Sequence, residues 1–236
     1  MSLEHNVEFH EFRDRKGLFR RLAVRICSIL SATIREKGRA VLVVSGGSTP
    51  VPLFEELSGQ DLDWKKVYVT LADERWVPPS DPDSNEALVR RHLLKGKAAG
   101  AKFIGLYNGA SSALEGEKAC QERLGEIISR IDVLVLGMGN DGHTASLFAG
   151  AERLKEAVDM GQKRPCIAIR PGDAPHERMT LTLNTLLKAR HIFLVITGEE
   201  KRRVIEKALS QGPMEEMPIR FVLAGSSVPV SIHWAP

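Results

Sequence analysis

Leu18, Leu22, Ile26, Leu30 and Ile34 recur at helical spacing, and Phe19, Ala23 and Ile29 widen the stripe. This predicts one long amphipathic helix over about residues 14–37, ended by Gly38. The pattern then changes to short β-branched apolar runs: AVLVV (40–44), VYVTLA (67–72), IDVLVL (131–136) and HIFLVI (191–196). Runs of this length between turn residues form buried strands. Helical segments separate them: VPLFEEL after the first, residues around 84–94 and 111–130, and EEKRRVIEKAL after the last. KFIGL and CIAI read as short strands, and RFVLA as the strand that closes the set. Residues 150–165 carry no clear period, and DERWVPPSDPDSN, with three prolines, reads as a loop without regular structure.

Strands alternating with helices imply an α/β fold: a mostly parallel, Rossmann-like sheet with helices on both faces, in a three-layer α/β/α arrangement. RMTLTL alternates and lies close to CIAI, which allows an antiparallel addition. No internal repeat, low-complexity tract or linker interrupts residues 1–236, so one domain is expected.

Composition narrows the classes. Hydrophobic residues make up 43% and charged residues 27%, the balance of an ordinary soluble protein. A net charge of +3, with Lys and Arg scattered among acids, makes no stripe for nucleic acid. The three cysteines, Cys27, Cys120 and Cys166, are too few and too widely spaced for a disulfide framework or a zinc cluster. MSLEHNVEFHEF has no signal-peptide character, and no apolar run approaches the ~20 residues of a membrane span. A cytoplasmic protein with neither nucleic-acid nor membrane partners is expected.

In open α/β sheets, ligands bind beyond the carboxyl ends of the strands. Four segments follow strands here: SGGSTP (45–50), Asp73-Glu74-Arg75, GMGNDGHTASLF (137–148) and Thr197-Gly198-Glu199-Glu200-Lys201. They are expected to converge on one rim. In SGGSTP, Gly46 and Gly47 permit close backbone approach to a ligand. Ser48 or Thr49 is placed to cap the following helix, with Pro50 in its first turn and free N–H groups for an anion. Lys201 lies near a helix start, where a bound anion offsets its clash with the helix dipole. Arg75 suits bidentate contact with phosphate, or alternatively a salt bridge to Asp73 or Glu74.

The third segment holds Gly137-x-Gly139-x-x-Gly142, the spacing of a dinucleotide turn. Its context fails that reading: Gly150 interrupts any long helix, and the acid at Asp159 does not follow a strand. Asp141 and His143 fit another use. A His can accept a proton near neutral pH, and an adjacent carboxylate can orient its ring. The alternative is a His that only braces the loop. The remaining histidines, including His5 and His10 in the polar terminus, lack such surroundings.

SGGSTP, ADERWVPPSDPDSN, GMGNDGHTASLF, RMTLT and TGEEK occur here in the order and spacing of the 6-phosphogluconolactonase family, and over residues 45–201 the chain resembles that family. The resemblance implies the fold shared with glucosamine-6-phosphate and ribose-5-phosphate isomerases (ribose-5-phosphate isomerase/CoA transferase-like). It implies hydrolysis of 6-phosphoglucono-δ-lactone to 6-phosphogluconate, the second step of the oxidative pentose phosphate pathway, with no metal or organic cofactor. Carried over by position, His143 is the general base, with Asp141 beside it. Arg75 and Lys201 take the substrate phosphate, and Gly46, Gly47, Ser48 and Thr49 line the site. Asp73 and Asn85 fall at substrate-side positions. Arg178, in RMTLT, matches a motif residue whose role stays open. The related deaminating isomerases continue Ala-Phe-Asn-Glu-Pro after the His, where the Glu serves ring opening; this chain reads Ala145-Ser146-Leu147-Phe148-Ala149 and has no such Glu. Sugar-phosphate-responsive regulators share a related fold but carry a DNA-binding helix-turn-helix, for which the long first helix leaves no room. Ala149 stands where the lactonases usually have Pro, and HWAP replaces their usual Trp followed soon by Asp.

Overall fold

A computed structural model describes residues 6–172 and 175–236; His5 lies outside them. The predicted first helix is present as α1 (Arg15–Lys37). Asp14 caps it, its Oδ1 accepting from the Gly17 amide at 2.7 Å. Gly38 ends it in the left-handed conformation, at φ 77°, with its N–H donated to the Ile34 carbonyl. The stripe from Leu18 to Ile34 is buried, and α1 packs on the sheet through it.

The strands are β1 (Val7–Glu11), β2 (Ala40–Val44), β3 (Val67–Leu71), β4 (Asp73–Arg75), β5 (Lys102–Ile104), β6 (Val133–Leu136), β7 (Cys166–Ile169), β8 (Arg178–Leu181), β9 (Ile192–Thr197) and β10 (Val230–Ala235). Seven of them form one parallel sheet in the order β1-β10-β9-β6-β2-β3-β5. Its inner strands β2 and β6 are fully buried, as expected of a parallel sheet covered on both faces. The remaining helices are α2 (Val51–Ser58), α3 (Asn85–His92), α4 (Ala113–Leu124), α5 (Leu154–Val158), α6 (Leu183–Leu186), α7 (Glu199–Leu209) and α8 (Ile219–Gly225). A continuous apolar core runs from Leu18 to Ala235, and Cys27, Cys120 and Cys166 are all buried within it. Among the described residues no helix is long and apolar enough to cross a membrane.

Four expectations change. RFVLA lies in helix α8: Ile219, Val222 and Leu223 are buried at helical spacing behind Pro218, and a short apolar run does not by itself distinguish helix from strand. The closing strand is β10 instead. Val7–Glu11, in the polar terminus, forms the edge strand β1 beside β10, and its exposed side chains hide the usual apolar signal. Asp73–Arg75 is a strand, not a loop, because β4 pairs antiparallel with β8. The helix predicted over 111–130 stops at Leu124 and continues as a 3-10 turn to Ser129.

The antiparallel addition exists as a second sheet, β4-β8-β7. Both sheets meet the rim at one place. From β2 the chain proceeds to β3 and β5 on one side, then returns to place β6, β9 and β10 on the other. The order therefore reverses between β2 and β6, where the loops after adjacent parallel strands diverge and open a crevice.

Replacing Asp14 by Ala leaves the first-turn amides of α1 uncapped. Stability should fall by about 1 kcal/mol, read as a lower urea midpoint at unchanged slope.

Candidate active site

The crevice is a cleft of about 860 Å³ whose lining includes Gly46–Thr49, Asp73, Arg75, Asn85, His143, Arg178 and Lys201. All four expected rim segments contribute to it. Asp141 is not part of the lining itself but stands directly behind His143.

His143 Nδ1 lies 2.6 Å from Asp141 Oδ1, and the same oxygen accepts the His143 backbone amide at 3.1 Å. With Nδ1 donating to the carboxylate, Nε2 carries the ring's basic lone pair. The hydrogen bond from His143 holds the Asp141 carboxyl down at about 2, against an opposing contribution from burial. The ring stacks on Phe148 at 4.1 Å between centroids.

The glycines of this loop now have a physical explanation. A Cβ on Gly139 would stand 2.1 Å from His143 Nδ1 and 2.3 Å from Asp141 Oδ1, so only glycine leaves space for the pair. The Gly139 amide donates to the His143 carbonyl at 2.8 Å, and the Gly142 amide to the Gly139 carbonyl at 3.1 Å. These amides close the loop on itself rather than waiting for a pyrophosphate. Ile219 donates to the Gly142 carbonyl at 2.8 Å, so α8 braces the loop from outside.

On the β2 side, a Cβ on Gly46 would stand 1.9 Å from Asn85 Oδ1. Asn85 Nδ2 in turn donates to the Asp73 carbonyl at 2.9 Å. Asn85 thus ties α3 to β4 and the SGGSTP loop while it lines the cleft. The expected cap of α2 is absent: Pro50 occupies the N-cap position, and neither Ser48 nor Thr49 makes a side-chain cap. Both line the cleft instead.

Asp73 is only 6% exposed, and its Oδ2 accepts the hydroxyl of fully buried Ser146 at 2.6 Å. This joins β4 to the loop carrying His143. Glu74, fully buried, accepts the amides of Arg75, Asn85 and Glu86 at 2.7 Å each and the Ser84 hydroxyl at 3.1 Å. It anchors the start of α3, where a carboxylate favours the helix dipole. The salt bridge considered for Arg75 with Asp73 or Glu74 does not form among the described residues; its Nη1 donates to the Asp83 carbonyl at 2.5 Å.

Lys201 is the third residue of α7, whose N-cap, Gly198, offers no side-chain acceptor. Burial lowers the Lys201 pKa, while Glu200 and Asp141 oppose the shift. Trp234 on β10 donates to the Gly198 carbonyl at 3.0 Å, so the HWAP ending packs into the fold and steadies this corner. The cleft also includes Arg15, Ser45, Asn140 and Phe148, which sequence reasoning did not single out. Arg15 begins α1, far from any rim motif, and no local pattern points to it.

These features define a cleft lined by Arg75, Arg178 and Lys201, with a carboxylate-backed histidine in its wall. The glucosamine-6-phosphate isomerase/6-phosphogluconolactonase family matches residues 13–234. The chain is 46% identical to the 6-phosphogluconolactonase of Pseudomonas aeruginosa, over 92% of this chain and 90% of that protein. It is 43% identical to that of Pseudomonas putida, over 100% of this chain and 96% of that protein. A crystal structure of a 6-phosphogluconolactonase from Shewanella baltica superposes with a TM-score of 0.96 at 43% identity, covering both chains completely. The chain belongs to the glucosamine-6-phosphate isomerase/6-phosphogluconolactonase family. Within it, the chain is an enzyme of the lactonase branch.

The Asp141 carboxyl sits at about 2 in the folded protein, below the ~3.9 of an unfolded chain. The stability it contributes is present above about pH 4 and is lost as pH falls toward about 2. Asp141→Asn should therefore lose less stability than the wild type across that window. Urea denaturation of both proteins at a series of pH values checks this, and identical pH profiles would refute the pairing.

Proposed function

We propose that this protein hydrolyses 6-phosphoglucono-δ-lactone to 6-phosphogluconate, with His143 as general base. The reading rests above all on one observation: a histidine with Nδ1 tied to a carboxylate at 2.6 Å, in the wall of a cleft that also holds Arg75 and Lys201. The names of its relatives support the same reaction.

His143 Nε2 removes a proton from water as the water oxygen attacks the lactone carbonyl carbon, C1. Asp141 holds the ring in the required orientation and stabilises the imidazolium that forms. The carbonyl oxygen becomes an oxyanion, which needs N–H donors. The Gly139 and Gly142 amides are engaged within their own loop, so the amides of Gly46, Gly47 and Asn140, all of which line the cleft, are the candidate donors. The tetrahedral intermediate collapses, the bond from C1 to the ring oxygen breaks, and the imidazolium returns its proton to that oxygen. The product acid then ionises. Arg75 and Lys201 hold the 6-phosphate and so fix C1 against the base. A serine nucleophile fits poorly, because Ser146 is fully buried and its hydroxyl is bound to Asp73. Ring opening of an amino sugar lacks its Glu, since Phe148 and Ala149 occupy that stretch.

Freshly prepared lactone provides the test, because it also opens spontaneously. Acid release above that background should vanish in His143→Ala, and full activity in that variant would sink the base assignment. Arg75→Ala and Lys201→Ala should each reduce kcat/KM for the phosphorylated lactone by about 10- to 100-fold, the usual weight of a charge-assisted hydrogen bond. Equal wild-type turnover of glucono-δ-lactone and its 6-phosphate would refute the phosphate assignment.

A further inference from the structure

Arg75 and Arg178 are direct partners across the antiparallel pair β4–β8. Directly opposed residues on such a pair share one face, and both of these arginines line the cleft. Two guanidinium groups in that relation repel each other unless an anion lies between them. Neither has a carboxylate partner among the described residues. The three nearby acids are committed elsewhere: Asp73 to Ser146, Glu74 to three amides and Ser84, and Asp83 to His176 at 3.0 Å.

Arg178 is the more unusual of the two. It is 7% exposed, yet its Nε has no hydrogen-bond partner among the described residues. Only Nη2 is engaged, donating to the Pro175 carbonyl at 3.2 Å. Burial and the neighbouring Arg75 both disfavour its charge. A buried, under-satisfied guanidinium costs stability, and that cost persists in a fold when a ligand relieves it. Its position relative to the base is suitable. The Phe148 ring lies 4.1 Å from the His143 ring and 5.9 Å from Arg178 Cζ, so base and guanidinium stand within about 10 Å of each other. A six-carbon substrate can present its reacting carbon to one and its terminal phosphate to the other.

We propose that Arg178 is a specificity-determining residue: with Arg75 it forms a two-guanidinium clamp that binds the substrate's phosphate. This rests on the lactonase reading above and adds a phosphate ligand to it. Phosphate offers several acceptor oxygens and up to two negative charges, which suits two planar forks better than one carboxylate does.

The test uses the whole protein and three variants, Arg178→Gln, Arg178→Lys and Arg178→Met. Arg178→Gln should lower kcat/KM for the phosphorylated lactone by about 10- to 100-fold, mainly through KM. Its loss on unphosphorylated glucono-δ-lactone should be at least about tenfold smaller, so that discrimination between the two substrates collapses. Arg178→Lys, which keeps the charge without the fork, should fall between. Inorganic phosphate should raise the melting temperature of the wild type, and that rise should shrink in Arg178→Gln and Arg178→Met. Without phosphate, Arg178→Met should melt no lower than the wild type, because it removes an unpaired buried cation. A lower melting point in the free variant, with the phosphate-induced rise intact, would make Arg178 structural and overturn the proposal. Equal losses on both lactones would overturn it too. If the wild type opens neither lactone, the lactonase reading fails, and the phosphate-induced rise still decides the clamp.

Discussion

Parallel strands end on the same side of their sheet, and that constraint governs the rest of this protein. Once β2 is flanked by β3 on one side and β6 on the other, their carboxyl ends deliver three loops to the same rim. β9, next to β6, brings the start of α7 to it as well. Because the strand order reverses between β2 and β6, no crossover helix fills the space above them. The cleft is a consequence of topology before any side chain is chosen.

Within that space, the site is held by buried polar groups, of which Asp73 and Asn85 also line the cleft while Ser146 and Glu74 stand behind it. Ser146 joins the His143 loop to Asp73 on β4, and Asn85 joins Asp73 to the turn at Gly46. Glu74 gathers the amides at the start of α3. Each lies in a dry environment, where a satisfied polar group confers rigidity and an unsatisfied one is costly. The loop that carries His143 is thereby connected to β4, which carries Arg75, through short, buried contacts. Two cleft residues depart from this pattern among the described residues: the Ser45 hydroxyl and the Arg178 Nε are buried without a hydrogen-bond partner.

Much of the fold was legible in the sequence because its signals are local. α1, β2 and α7 appear almost residue for residue, since period, caps and run length are properties of a short window. β1, β4 and α8 were misread for the complementary reason. β1 is an exposed edge, β4 becomes a strand only because β8 pairs with it, and the apolar run in α8 is compatible with either geometry.

The site divides along the same line. Sequence alone identified the four rim segments and offered Asp141, His143, Arg75 and Lys201 as candidates, because glycine spacing, charge and residue chemistry can be read in place; only the family resemblance gave them expected roles. Tertiary structure decided what those features mean together. It showed that Gly139 clears space for an aspartate–histidine pair and that Gly46 clears space for Asn85. It also set Arg178 opposite Arg75, across 103 positions of chain, and brought Arg15 to the cleft from the first helix. These are distances between residues far apart in sequence, and only the packing of the two sheets determines them.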